Sequence, residues 1–100
     1  MSDTDTVEIV KKEIKVTEPS RYKVVFHNDN VTTYQFVIYL LIEIFNKSQA
    51  DAINITLTVD KQGAGVAGVY SKEIAEHKVS QAYNLILQYE FPLKITIEKE

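Results

Sequence analysis

The chain of 100 residues contains no cysteine, and only three of its residues are glycine and two are proline. Without cysteine, neither a disulfide framework nor a thiolate metal site can form, and a reducing compartment suits the chain. Clusters of Lys and Arg are lacking as well, since the net charge is −3 and the isoelectric point is about 5.4. A general nucleic-acid surface needs such clusters, so nucleic-acid binding is not expected.

Long apolar runs are also absent. The longest apolar stretch lies between Phe36 and Phe45, where Tyr39 and Glu43 interrupt it, so it is too short to cross a membrane. The first residues, MSDTDTVEIVKK, have neither the basic start and apolar run of a signal peptide nor the arginine of a transit peptide. We therefore expect a cytoplasmic protein that has no membrane segment.

The composition, with 45% hydrophobic and 25% charged residues, is typical of one small globular domain. Residues 1–21 mix charges of both signs, and their apolar residues follow no sustained period. We predict a flexible N-terminal extension over 1–21 and a folded domain over 22–100. Whether the extension has a docking role or is an inert, solvated segment stays open.

Six regular segments are predicted in the folded domain. Strands are expected over 22–26, 65–70 and 93–98, and helices over 33–46, 49–61 and 72–89. The order is β-α-α-β-α-β, which predicts an α+β domain with three helices packed on one face of a three-stranded sheet. The apolar stripe of the first helix is wide, so this helix should be the central one.

Capping residues support the three helices. Thr32 is the predicted N-cap of the first helix, with Gln35 closing a capping box, and Ser48 and Ser71 are predicted to cap the other two. Gly63 should end the second helix. The inner face of the third helix is predicted to contain these residues: Ile74, Val79, Ala82, Leu85 and Ile86.

A polar loop, His27-Asn28-Asp29-Asn30, separates the first strand from the first helix. Its carbonyl and carboxylate oxygens would stand at a fixed point beside a helix N-terminus, which suits recognition of a small polar group. Asp60 is a second candidate, because a carboxylate in the last turn of a helix is unfavourable by a few tenths to about 1 kcal/mol. Such violations of a local rule often mark functional sites. The alternative is that Asp60 is simply exposed and that Lys61 or water offsets its unfavourable charge.

No pattern of catalytic residues is found. His27 and His77 lie far apart without a metal-binding spacing such as HExxH, and a His27/Asp29/Asp60 metal site has no further support. The segment QGAGVAG lacks the GxxxxGK[ST] pattern of a phosphate-binding loop. We expect no enzyme activity, no metal and no cofactor.

Three blocks of the sequence carry a family resemblance. They read YKVVFHNDN followed closely by TTYQFV, then LTVDKQGAGVAGVYSKEIAEHKV, and finally FPLKITIE. Together they resemble the ClpS family, the small adaptors of ClpA- and ClpC-type AAA+ unfoldases, from Tyr22 to the end of the chain. The family fold has the β-α-α-β-α-β order that the helix and strand patterns predict independently.

The resemblance implies a function that requires binding alone. ClpS-like adaptors bind proteins whose N-terminal residue is bulky and apolar (Leu, Phe, Tyr or Trp) and hand them to the unfoldase. Matching positions imply roles for three sets of residues: Asn28, Asp29 and Thr32 for the α-amino group and peptide backbone, Val37, Val59 and Leu93 for the side-chain pocket, and Glu73 and Lys78 for the N-terminal domain of the unfoldase. We expect a monomer.

The chain departs from the family pattern near this site. Asp60 stands where the family typically has a histidine that accepts from the α-amino group; an aspartate can also accept, and its charge favours an ammonium. Thr56 and Tyr34 replace methionines beside the pocket and at its entrance, and Asn30 replaces an aspartate. Because Thr56 is smaller, we expect Ile and Val to be accepted better than is usual in the family.

The alternative function is a ClpS-like interaction domain that docks an unfoldase, or another partner, without recognising N-terminal residues. Such a domain would inhibit or redirect the unfoldase. The presence of Asn28, Asp29 and Thr32 together favours the first function.

Overall fold

The structure, a computed structural model, describes residues 20–100. It contains three strands and three helices in the order β-α-α-β-α-β. They are β1 (Arg21–His27), α1 (Tyr34–Glu43), α2 (Gln49–Gln62), β2 (Ala64–Ser71), α3 (Lys72–Tyr89) and β3 (Lys94–Lys99). The predicted order and fold class are confirmed. Nearly all of the predicted N-terminal extension lies outside the described residues.

The three strands form one antiparallel sheet in the order β2-β1-β3, so β1 lies in the centre. Phe26 pairs with Gly65 of β2 on one side and with Ile95 of β3 on the other. The register against β2 shifts between Val24 and Val25. The central strand therefore delivers the polar loop that follows His27 to one fixed end of the sheet.

The helices cover one face of the sheet and build the core there. Val24 and Phe26 of β1 are completely buried, as are Leu40 and Leu41 of α1. Full burial of such side chains contributes about 1.5–3 kcal/mol each. Helix α1 also buries Phe36 and Val37. Its predicted position as the central helix is not supported, because α3 is the helix that packs against all three strands.

Both ends of α1 differ from the prediction. Its N-cap is Thr33, whose hydroxyl oxygen accepts from the Phe36 N–H at 3.2 Å, and not Thr32. The predicted capping box between Thr32 and Gln35 is wrong, because the hydroxyl of Thr32 donates to Asp29 instead. The helix ends at Glu43 and not near residue 46, since Asn46 has a φ of 57°.

The other two helices begin as predicted. Ser48 accepts from the Asp51 N–H at 3.1 Å, and Ser71 accepts from the Ile74 N–H at 3.4 Å. Helix α2 ends at Gly63, whose φ of 86° is in the left-handed region that glycine adopts readily. Among the helices that the structure describes, none is long and apolar enough to span a membrane.

The predicted inner face of α3 is partly wrong. Ala82 and Ile86 are buried, and Val79 and Leu85 are partly buried against the core. Ile74, in contrast, is 50% exposed, while its neighbour Ala75 is completely buried. The buried stripe runs through residues 75, 79, 82 and 86, a helical spacing that leaves position 74 outside it.

Candidate functional site

The loop after β1 is held together by the carboxylate of Asp29. Its Oδ1 accepts from the backbone N–H groups of Val31 at 2.8 Å and Thr32 at 2.7 Å. Its Oδ2 accepts from the hydroxyl of Thr32 at 2.7 Å. An aspartate that bonds the backbone two and three residues ahead closes a tight local turn. The loop is therefore shaped by its own residues, without the help of a ligand.

These hydrogen bonds also set the charge of Asp29. Burial raises the pKa of the Asp29 carboxyl, but the hydrogen bonds from Thr32 and Val31 lower it by more, so the net pKa lies below its usual value of 3.8. Asp29 is therefore ionised at neutral pH. An ionised carboxylate has about four acceptor positions, so one position on Oδ2 remains for a ligand.

Two further hydrogen bonds fix the ends of this loop. The Asn28 N–H donates to the Gly63 carbonyl at 2.9 Å, which ties the loop to the C-terminal end of α2. The Nε2 atom of His27 lies 2.7 Å from the Thr96 hydroxyl on β3. The imagined metal site receives no support, since residues 20–100 contain no group of three or more His, Cys, Asp or Glu side chains placed to hold a metal.

One cavity opens beside the loop, between α1, α2 and the segment before β3. It contains about 270 Å³ of empty space, part of which is open to solvent. Ten residues line it: His27, Asn28, Asp29, Thr32, Tyr34, Val37, Thr56, Val59, Asp60 and Leu93. The structure thus brings together the nine residues that are predicted from the sequence to form the ligand site. The tenth, His27, has no predicted role in binding the ligand.

The inner part of the cavity is apolar. Val37, Thr56, Val59 and Leu93 are each at most 5% exposed. The hydroxyl of Thr56 donates to the Ala52 carbonyl at 2.7 Å, so its proton is used within α2. This part of the cavity therefore suits an apolar group and presents no free hydroxyl proton.

Tyr34 and Asp60 flank the opening of the cavity. Tyr34 is the first residue of α1 and is 47% exposed, and Asp60 is an exposed residue in the last turn of α2. The nearby Asp60 carboxylate raises the pKa of the Tyr34 hydroxyl above its usual value of 10.0. The alternative expectation is that Lys61 offsets the unfavourable charge of Asp60. It is not supported, because the one ion pair within residues 20–100 joins Arg21 and Glu100 at 3.9 Å.

Glu73 and Lys78 lie on α3, away from the lining of the cavity. Glu73 is exposed in the first turn. Lys78 is partly buried: its ammonium donates to the Ile44 carbonyl at 2.8 Å and lies 5.4 Å from the centre of the Tyr70 ring. Lys78 therefore caps the C-terminal end of α1, a role for which the sequence carries no signal.

Comparison with known protein families gives a clear match for this chain. The model of the family described as ATP-dependent Clp protease adaptor protein ClpS matches residues 17–96. The chain belongs to the ClpS family. This confirms the resemblance found in the sequence.

Relatives and a solved structure agree with this assignment. The chain is 47% identical over 90 residues to the ATP-dependent Clp protease adapter protein ClpS of Desulforapulum autotrophicum, covering 90% of this chain and 86% of the relative. It is 44% identical to ClpS of Clostridium acetobutylicum, covering 90% and 89%. The structure of Agrobacterium tumefaciens ClpS2 bound to L-phenylalaninamide is similar with a TM-score of 0.79 and 34% identity, covering 83% of this chain and 100% of that one.

Family membership establishes the general role of the chain. ClpS proteins are adaptors of the ATP-dependent Clp protease, so this chain is a protease adaptor and works with the AAA+ partner of that protease. It is not an enzyme, which confirms the expectation from the sequence.

Proposed function

We propose that this ClpS-family adaptor binds the free α-amino group and the bulky apolar first side chain of a protein. It then delivers that protein to a ClpA- or ClpC-type unfoldase, acting as a monomer in the cytoplasm. The observation that carries the proposal is one cavity with polar acceptors at its opening and an apolar interior. A peptide N-terminus presents the matching pair of groups, an ammonium and a side chain on the same carbon atom.

The polar end of the cavity suits an ammonium. An α-ammonium has three N–H donors, and three residues that line the cavity, Asn28, Asp29 and Asp60, each carry a side-chain oxygen that can accept one. Each hydrogen bond to a charged group contributes about 1.5–3 kcal/mol. Thr32 supports this set indirectly, because it holds the Asp29 carboxylate through its hydroxyl and its backbone N–H.

The apolar interior suits the first side chain. Burial of a Leu or Phe side chain contributes about 1.5–3 kcal/mol. Added to the hydrogen bonds and reduced by the free energy lost on association, this reaches about −8 kcal/mol, the affinity of a micromolar complex. L-phenylalaninamide, the ligand of the similar Agrobacterium tumefaciens ClpS2, combines a free α-amine with a benzyl side chain and supports the same chemistry here.

Delivery requires a second surface, for which we propose Glu73 and its surroundings on α3. Glu73 is exposed and does not line the cavity, so a partner bound there leaves the ligand site open. Lys78 lies on the same helix, but its ammonium is bonded to the end of α1. Lys78 would therefore contribute to this surface in two ways: through its charge and by fixing the position of the end of α1.

A peptide panel tests the proposed ligand. Fluorescence anisotropy would compare peptides that differ only at residue one (Leu, Phe, Ile, Val) and a Leu peptide with an acetylated N-terminus. We expect micromolar binding of the free Leu and Phe peptides, measurable binding of Ile and Val because of the small Thr56, and no binding of the acetylated peptide. Equal binding of the free and acetylated forms would instead favour the interaction domain without N-terminal recognition. If the Ile and Val peptides do not bind at all, the role assigned to Thr56 is wrong, but the proposed function is not contradicted.

A further inference from the structure

A second groove lies between α1 and the C-terminal end of α3. It contains about 730 Å³ of empty space, part of which is open to solvent. Phe36, only 6% exposed, lies at its base, with its ring centre 5.3 Å from that of Tyr89 and 4.8 Å from that of Phe91. Six residues line the groove: Thr33, Gln35, Phe36, Tyr39, Tyr89 and Phe91.

The lining of this groove suits an apolar guest. Four of its six residues are aromatic, and within residues 20–100 no charged side chain lines it. The rings of Tyr39 and Tyr89 are 43% and 53% exposed, although burial of an aromatic ring is favourable. Exposed apolar surface that is gathered in one place marks interaction sites. The groove therefore fits a bulky, uncharged side chain that covers the two tyrosine rings.

The groove and the ligand cavity lie on nearly opposite sides of α1. Tyr34 and Val37 line the cavity, whereas Gln35 and Tyr39 line the groove. Successive residues of a helix point about 100° apart, so these two pairs face away from each other across the helix. The two sites are therefore separated by about the width of one helix, roughly 10 Å.

A chain that leaves the cavity reaches the groove by crossing the N-terminal end of α1. Thr33 accepts from the N–H groups of Phe36 and Val37 through its hydroxyl and its carbonyl. The N–H groups of Tyr34 and Gln35 come before these and have no acceptor within the helix, so they can donate to carbonyl groups of a crossing chain. An extended chain covers about 3.3 Å per residue, so about three to five residue steps are needed for the crossing.

We propose that the groove is a second subsite for the bound protein, which takes a bulky apolar side chain from about its fourth to sixth residue while its first residue occupies the cavity. This inference rests on the proposed function, because the count starts from a first residue held in the cavity. The short span favours the bound chain itself as the occupant, since binding of its first residue delivers its next residues to the groove at high effective concentration. The second contact selects chains that are extended over these residues.

A positional series of peptides tests the subsite. The peptides begin with Leu, continue in Gly and Ser, and carry one phenylalanine at the third or the fifth residue, and the reference peptide carries none. By anisotropy, phenylalanine at the fifth residue should increase the affinity about threefold to tenfold over the reference. At the third residue it should give less than about a twofold gain, because the chain is too short to cross α1. Aspartate at the fifth residue should give no gain, because the lining offers no charge to pair with it.

Two variants remove the exposed rings from different helices. Tyr39→Ser acts on α1 and Tyr89→Ser on α3, and each should abolish the gain from phenylalanine at the fifth residue. Leu87→Ser is the matched control, because Leu87 lies on α3, is 74% exposed and is absent from the groove lining. It should keep the full gain. The gain is the ratio of two affinities measured on one variant, so a general change in affinity cancels.

The outcomes distinguish this inference from the proposed function. If the reference peptide binds and its acetylated form does not, but phenylalanine at the fifth residue gives no gain, the inference fails and the proposed function stands. The inference also fails if the third residue gives the same gain as the fifth, or if Leu87→Ser abolishes the gain as Tyr39→Ser and Tyr89→Ser do. If the reference peptide and its acetylated form bind alike, the proposed function fails and the inference fails with it.

Discussion

Two carboxylates face one cavity, but the protein holds them in different ways. Asp29 accepts three hydrogen bonds from its own loop, and these lower its pKa against the opposing effect of burial. Asp60 lies on an exposed helix end where its charge is unfavourable, and it lines the cavity opposite Asp29 without a hydrogen bond from its own loop. One acceptor is part of the local fold, and the other is an exposed side chain on a helix end.

This difference predicts different consequences for stability and binding. A group that organises its own loop cannot be removed without changing the shape of the loop. A group on a rigid helix can be removed with little effect on the fold, even if it carries much of the affinity. Asp29 should therefore combine structural and binding effects, whereas Asp60 should affect binding alone.

Asp29→Ala should have the largest effect. It removes the acceptor for the N–H groups of Val31 and Thr32 and for the Thr32 hydroxyl. We expect a loss of about 1–3 kcal/mol in the free energy of unfolding, measured in urea, and at least a hundredfold loss of affinity for the free Leu peptide. Asn30→Ala, in the same loop and exposed, is the control and should have little effect on stability. A stable Asp29→Ala variant with full affinity would show that the loop does not depend on this carboxylate.

Asp60→Ala should have the next largest effect, and on binding only. Loss of the charged acceptor should weaken binding of the free Leu peptide about tenfold to a hundredfold. The free energy of unfolding should stay the same or rise by a few tenths to about 1 kcal/mol, because the unfavourable charge at the end of α2 is removed. Both quantities would be measured on one preparation, by anisotropy and urea unfolding. A clear loss of stability with unchanged affinity would reverse the roles assigned to Asp29 and Asp60.

Features that depend on local sequence signals can be predicted, whereas contacts between separate elements cannot. The order of elements follows from apolar periods and from Ser48, Ser71 and Gly63, whose signals are local. The lining of the cavity is predicted through the family resemblance, and the structure brings those residues together. The bond from the Lys78 ammonium to the Ile44 carbonyl at 2.8 Å is not predicted, because it joins two helices and leaves no trace in the spacing of either one.

The errors have a similar origin. Thr32 and Thr33 both fit the pattern of an N-cap, and only the turn closed by Asp29 decides that Thr32 is engaged and Thr33 caps α1. Ile74 fits the apolar period of α3, but Ile74 is exposed and its neighbour Ala75 is buried in the core. In each case, a tertiary contact selects between two neighbouring residues that are equivalent by sequence pattern.

The pH dependence of binding should give the smallest and most selective effect. A free peptide α-amine has a pKa of about 7.7–8.0, and a neighbouring carboxylate raises it in the complex. Because the bound amine must be charged, the affinity for the Leu peptide should fall above roughly pH 8–9. It should fall again below about pH 4, where carboxylates take up protons.

The stability of the protein should depend on pH through Asp29. Because the pKa of Asp29 is lowered in the folded state, its contribution to stability is present above pH 3.8 and is lost as the pH falls through the pKa of the folded state.

The comparison of the two carboxylates is sharpened by repeating this titration with Asp60→Asn. Without the charge of Asp60, the pKa of the bound amine should rise less, so the affinity should decrease less between pH 7 and pH 10 than in the unchanged protein. Asn30→Ala is again the control and should follow the unchanged protein. An affinity that is flat from pH 6 to 10 in the unchanged protein would mean that no charged amine is bound. An alkaline decrease that is identical in Asp60→Asn would assign the charge recognition to Asp29 alone.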